Sequence, residues 1–262
     1  MVASRRRAGS APGWRGQVKS GKGRTGKARQ GVKFWIPILR LRPRLAMALT
    51  IDIISDVVCP WCYIGKRRLE TALAQYAEEN PDAEPPEIRW RPFQLNPDMP
   101  LEGITRKDYI LRKFGPNGGA NYKRVAAVGA DEGLEMDFDG IEQQPNSLAA
   151  HSLIDLAEPG EQQERVVEAL FKAYFIDNLD FTKRANLIEV AVAAGLPKAL
   201  VEARLDDPGA LEDVRSADEE ARGMGVEGVP FFVFNKRVAL SGAHEPATML
   251  DAIRQAEEAV VE

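Results

Sequence analysis

Ile51-Asp52-Ile53-Ile54-Ser55-Asp56-Val57-Val58-Cys59-Pro60-Trp61-Cys62 is the stretch on which the fold turns. An apolar run that reads as a buried strand passes into a helical pattern through a Cys-Pro-Trp-Cys tetrapeptide. These are the only two cysteines in 262 residues. Two thiols separated by two residues at a strand-to-helix junction suit a dithiol that cycles with a disulfide. Proline is favoured at the first position of a helix, where its missing N–H costs nothing. That puts Cys59 at the N-cap and Cys62 at the third helical position. A Cys59 thiolate would face free backbone N–H groups and the positive end of the helix dipole, both of which favour ionised sulfur. Cys59 therefore reads as the nucleophile and Cys62 as the resolving thiol. A zinc site would have to recruit Cys59, Cys62, His151 and His244. The long, irregular gaps between them match no finger spacing, so no metal is expected.

Charge is unevenly distributed. Residues 1–46 hold 13 Lys/Arg and no acid, which leaves 22 basic against 39 acidic residues in the body, a net −17. A polyanionic partner would meet repulsion from that body, so no nucleic-acid partner is expected there. The tail is rich in Gly, Ser and Arg, lacks a sustained period and reads as disordered. Its one apolar stretch, Phe34-Trp35-Ile36-Pro37-Ile38-Leu39, is too short and broken for a secretory signal or a membrane span. Three readings of the tail stay open: sequence upstream of a true start at Met47, an Arg-rich transit peptide, or a tether to nucleic acid or membrane. With no secretory signal the expected compartment is the cytoplasm, where a cysteine pair is more often catalytic than a permanent staple.

Along the body, 50–56 reads as a strand and 60–79 as a helix. That helix turns Ile64, Leu69, Leu73 and Tyr76 inward and leaves Lys66, Arg67 and Arg68 exposed. Ile88 to Phe93 alternates as a second strand, with Pro92 at a strand end or edge. From about 100 to 224 the pattern is helical, including helices over 185–194, 197–206 and 209–223. The stripe Phe171, Tyr174, Phe175 reads as core. Val229 to Phe234 is a β-rich run, Asn235-Lys236 a hairpin turn, and Arg237 to Leu240 the returning strand. Residues 246–260 close the chain as a helix. The order is strand, helix, strand, helical stretch, strand, strand, helix. This implies an α/β fold of thioredoxin type: 47–99 and 225–262 form the thioredoxin-like domain, and 100–224 form an all-helical insertion over the active-site face.

Ser55 to Gly65 (SDVVCPWCYIG) resembles the active-site region of cytoplasmic DsbA-like proteins of the FrnE type. So do WRPFQLNP at 90–97, LFKAYF at 170–175, and GVEGVPFF at 225–232 followed by Ser241-Gly242-Ala243. The resemblance spans about 50–258 and implies a thiol–disulfide oxidoreductase. It also implies that Pro230 is a cis-proline exposing the backbone of Val229 to an extended substrate beside Cys59; Gly225 and Gly228 suit a tight turn there. No bound cofactor is expected. Exchange with glutathione or another thiol, and protein or small-molecule thiol and disulfide substrates, fit the same resemblance. Monomer and homodimer both stay open, and no membrane association is expected.

Related isomerases of hydroxychromene carboxylates and kappa-class glutathione transferases look similar along the chain but carry Ser where this one has Cys59. A glutathione-dependent isomerase or transferase is therefore the alternative reading. Asn146 and His151, within PNSLAAHSL at 145–153, resemble a segment found in both branches. His151 is a candidate cleft residue. Asp52, seven residues before Cys59, is a candidate proton acceptor for Cys62. Trp61 offers an apolar contact for substrate. It also replaces the His of the periplasmic DsbA dipeptide, which implies a couple less oxidising than DsbA's roughly −120 mV. His244 reads as a surface turn residue.

Overall fold

Four strands and the helix that follows the first of them position the two cysteines. The computed structural model describes residues 49–116 and 119–258. The basic segment 1–46 and the expected helix end at 259–260 lie outside these residues. Strand β1 (Thr50–Ser55) runs into helix α1 (Pro60–Glu79), and β2 (Glu87–Pro92) returns parallel to β1. Much later, β5 (Phe231–Phe234) and β6 (Val238–Ser241) form a hairpin antiparallel to β1, and α9 (Pro246–Glu258) packs against α1. The sheet order is β2-β1-β5-β6.

Strand alternation explains the burial. Ile51 and Ile53 of β1, with Phe232 and Phe234 of β5, enter the main core. Ile54 and Phe231 turn to the opposite face, where Phe93, Ala221 and Val226 cover them. Asn235 and Lys236 both have positive φ, 50° and 56°, and the Arg237 N–H closes the turn on the Phe234 carbonyl at 3.0 Å. The Asn235 carboxamide also accepts the Thr50 N–H at 2.9 Å and so ties the hairpin to β1. Helix α1 ends at Asn80, whose backbone and side-chain N–H groups both donate to the Tyr76 carbonyl, and Pro81 follows.

Between β2 and β5 lie β3 (Ile104–Thr105), α2 (Arg106–Phe114), α3 (Gly119–Asp131), β4 (Gln143–Gln144), α4 (Leu148–Leu156), α5 (Glu161–Phe175), α6 (Arg184–Ala193), α7 (Lys198–Asp206) and α8 (Pro208–Gly223). The stretch is thus not all helical: β3 and β4 pair antiparallel. Two-residue strands are too short to leave a period in the sequence. The stretch shares one hydrophobic core with the sheet and α1. Phe171, Tyr174 and Phe175 are fully buried in it, and Tyr63 of α1 stacks on Phe171 with centroids 4.9 Å apart.

The first turns of α1 differ from the expectation. Lys66 is only 5% exposed and is held by Glu70, Glu164 and Glu168, while Arg67 bonds Glu168 and Arg68 bonds Glu132. Acids from α5 and the end of α3 bring these cations inward. Leu73, expected inward, is only partly buried. Among the described residues, no helix is long and apolar enough to cross a membrane.

Candidate active site

Cys59 is the N-cap of α1, with Pro60 at the first helical position, and Cys62 lies in the first turn. The backbone enters in extended conformation (φ −98°, ψ 111°), and the Cys62 N–H donates to the Cys59 carbonyl at 3.0 Å. The Cys59 side chain makes no capping bond to the helix. Its sulfur instead points across to Val229, where S–H donates to the carbonyl at 3.7 Å.

The Val229–Pro230 peptide bond is cis. Val229, Pro230 and Cys59 therefore meet as the resemblance implied. Gly225 upstream sits at φ +90°, a conformation suited to glycine, whereas Gly228 shows no positive φ. Gly65 of α1 faces this loop: a Cβ there would lie 3.0 Å from the Pro230 ring and 3.1 Å from the Phe232 ring. Glycine in the helix is what lets the proline loop reach the cysteines.

Cys62 is buried, and burial pushes its thiol well above the ordinary range, helped by the neighbouring Cys59; Ser55 and the Asp56 backbone pull weakly the other way. Asp52 does not join this group. Alternation along β1 puts it on the face opposite Ile51, Ile53 and Ser55, where its carboxylate lies 3.5 Å from Arg91 Nε. The residue whose backbone lies beside Cys62 is instead Asp56, which the sequence reading did not single out. It is completely buried; its side chain accepts the Val58 N–H at 3.2 Å and the Leu95 N–H at 2.7 Å, and its carbonyl accepts the Cys59 N–H at 3.0 Å. An aspartate bonding the N–H two residues on is a turn signal, and SDVV before the cysteine carries it.

His151 is buried on α4, with Nε2 3.5 Å from Asp56 Oδ1 and making no hydrogen bond. It does not line the cleft as expected but lies behind the cysteine turn. Asn146 accepts the Leu148 N–H at 2.9 Å and donates to the Met99 carbonyl at 2.7 Å, fixing the entry to α4. His244 is exposed and bonds the Ser241 carbonyl at 3.0 Å. Among the described residues, no group of three or more His, Cys, Asp or Glu side chains could hold a metal ion.

A cavity of about 420 Å³ opens onto Cys59, lined by Trp61 on one side and by Tyr109, Phe114 and Tyr122 of α2 and α3 on the other. Trp61 is 37% exposed. Burial pushes the Tyr122 phenol up to about 12 despite nearby Arg106, with a small contribution from Cys59.

A family model described as a DSBA-like thioredoxin domain matches residues 50–254. The chain is a DsbA-like protein. The crystal structure of a probable DsbA oxidoreductase from Streptomyces coelicolor, SCO1869, is similar at 31% identity and a TM-score of 0.71, covering 79% of this chain and 89% of that one. The YwbO protein of Bacillus subtilis is 23% identical over 200 residues, 73% of this DsbA-like chain and 90% of its own. A 2-hydroxychromene-2-carboxylate isomerase shares the fold at 16% identity and a TM-score of 0.56, covering 81% of this chain and 99% of that one.

Proposed function

We propose that this DsbA-like protein is a cytoplasmic thiol–disulfide oxidoreductase in which Cys59 and Cys62 carry the electrons. The observation behind this reading is the Cys59 sulfur at the helix N-terminus, 3.7 Å from the carbonyl of the cis-bonded Val229, with Cys62 buried one turn inward. The Cys59 thiolate attacks one sulfur of a substrate disulfide and forms a mixed disulfide as the other sulfur leaves as thiolate. Cys62 then attacks Cys59, closes the Cys59–Cys62 disulfide and releases the second substrate thiol. The protein loses two electrons and the substrate gains them; the reverse sequence oxidises a dithiol. Both electrons sit on the sulfur pair, so no bound cofactor is required. Glutathione or another small thiol would reset the pair, and an extended substrate segment would take the Val229 backbone.

The alternative, a glutathione-dependent isomerase, needs no second thiol, and nothing in its chemistry accounts for Cys62 beneath Cys59. Two measurements test the reading. The Cys59–Cys62 couple is equilibrated in glutathione buffers and free thiols are trapped with a mass tag; a two-electron couple between about −120 and −270 mV is expected. Cys59→Ser abolishes exchange with a disulfide substrate. Formation of only a Cys59–glutathione adduct, or full exchange by Cys59→Ser, overturns the proposal.

A further inference from the structure

The wall of the Cys59 cavity is charged in the opposite sense to the protein that carries it. Helices α2 and α3 hold six Lys/Arg (Arg106, Lys107, Arg112, Lys113, Lys123, Arg124) against two acids, Asp108 and Asp131. The body from residue 47 onward carries a net −17. Two of these cations, Lys113 and Arg124, line the cavity together with Cys59, Trp61, Phe114 and Tyr122. Among the described residues neither is paired with a carboxylate. The Lys113 ammonium donates to the Tyr109 hydroxyl at 2.7 Å and lies over the Tyr109 and Phe114 rings, 5.2 and 5.6 Å from their centroids. It is held in place by neutral groups, so its charge is left for whatever enters. Most other cations near α1 are neutralised: Lys66, Arg67 and Arg68 all pair with glutamates.

Behind this wall Arg106 is buried, its guanidinium 4.5 Å from the Tyr122 ring centroid and 5.3 Å from that of Tyr109. It bonds the Gln144 carboxamide oxygen, but its Nε makes no hydrogen bond. It adds positive potential beneath the aromatic lining. The adjoining recess, about 380 Å³, shares Lys113 and adds Arg112, against one acid, Asp98. A cleft lined by one sign of charge between apolar walls concentrates ligands of the other sign and raises their encounter rate.

We infer that the Cys59 cavity selects low-molecular-weight anionic disulfides and thiols, with Lys113 and Arg124 holding the ligand's carboxylates and the aromatic walls its carbon chain while its sulfur meets Cys59. The inference rests on the reading of Cys59 as nucleophile. A volume of about 420 Å³ accommodates a molecule of a few residues' size. The chemistry is the exchange already written: one dianionic disulfide and the protein dithiol give two anionic thiols and the protein disulfide.

The test is a charge ladder on the reduced full-length protein. Second-order rates of oxidation are measured with 3,3′-dithiodipropionate (dianion), bis(2-hydroxyethyl) disulfide (neutral) and cystamine (dication). Each rate is divided by that of the same disulfide with dithiothreitol, which removes intrinsic differences in the sulfur chemistry. The expected order is dianion, neutral, dication, with at least a tenfold spread between the ends that contracts as salt is raised. The net charge of the body alone would give the reverse order. Lys113→Gln/Arg124→Gln collapses the spread, and Lys113→Glu/Arg124→Glu inverts it. Equal rates for the three, or the fastest rate with cystamine, overturn the inference and leave the oxidoreductase reading standing. No reaction with any of the three sinks the oxidoreductase reading itself.

Discussion

Gly65 and Pro230 are in such close register that a single methyl group on the glycine would lie 3.0 Å from the proline ring. Helix α1 and the cis-peptide loop are thereby locked at one spacing, and that spacing sets the 3.7 Å between the Cys59 sulfur and the Val229 carbonyl. Replacing glycine by alanine in a helix interior ordinarily stabilises by about 0.5–1 kcal/mol. At position 65 that gain is expected to be cancelled by displacement of the Pro230 loop. Gly65→Ala should show no rise in stability to denaturant and a slower disulfide exchange, and Gly65→Val a loss in both. A Gly65→Ala protein that is more stable and equally fast would show that the contact does not constrain the loop.

Asp56 organises the turn that carries Cys59 through three backbone bonds, two to its carboxylate and one to its carbonyl. Asp56→Ala leaves the Val58 and Leu95 N–H groups without their acceptor. A buried unsatisfied group costs about 1–3 kcal/mol. Urea denaturation should register a loss of that order or somewhat more, and exchange at Cys59 should slow as the turn loosens. Asp56→Asn, which keeps one acceptor oxygen, should recover part of both. His151→Leu, which removes a ring whose Nε2 has no hydrogen bond, is expected to cost less than Asp56→Ala.

The contrast between Asp52 and Asp56 shows where the sequence was legible. The strand, the Pro60-started helix and the Asn235-Lys236 hairpin all have local causes, a period or a special dihedral, and their positions follow closely from the residues. Cys59 and Cys62 were marked by chemistry that few residue types can perform, and Pro230 by the family resemblance. Which acid stands behind the cysteines depends instead on strand phase: Asp52 falls on the wrong face of β1, and Asp56 falls in the turn. Lys66 looked exposed because a lysine in a helix usually is. Its burial is decided by Glu164 and Glu168 on α5, a contact that no local pattern contains. The cationic wall of the Cys59 cavity is of the same kind, since only the folding of α2 and α3 over the site turns a scatter of lysines and arginines into a field.

Lys66 supplies a prediction of its own. Burial works against its ammonium, but Glu164, Glu70 and Glu168 outweigh that effect and raise its affinity for the proton. Removing the cation with Lys66→Met leaves three carboxylates facing one another with Arg67 as the remaining partner nearby. Stability should fall by about 1–3 kcal/mol. A Lys66→Met/Glu168→Gln double variant should recover part of it, because it removes one of the stranded charges. A loss confined to a few tenths of a kcal/mol, or no coupling between the two positions, would show that water already screens this cluster.

The raised Cys62 thiol predicts a pH dependence that belongs to the reduced protein alone. An unfolded cysteine releases its proton above about pH 8.5. Buried Cys62 keeps its proton to higher pH, so above that point the folded state holds more protons than the unfolded one. Stability must then fall as pH rises, by at most about 1.4 kcal/mol per pH unit for one proton. Below pH 8 the thiol is protonated in both states and contributes no slope. In the oxidised protein Cys62 has no proton to lose, and the slope from this source vanishes. Tyr63, Tyr122 and Tyr174 are raised in the same sense, but their window opens near pH 10 in either redox state. Denaturation between pH 7 and 9.5 therefore isolates the cysteine. The reduced protein and Cys59→Ala should lose stability above pH 8.5, while the oxidised protein should not. A flat profile for the reduced protein would mean that the Cys62 thiolate is solvated, and the picture of a buried resolving thiol beneath Cys59 would have to be abandoned.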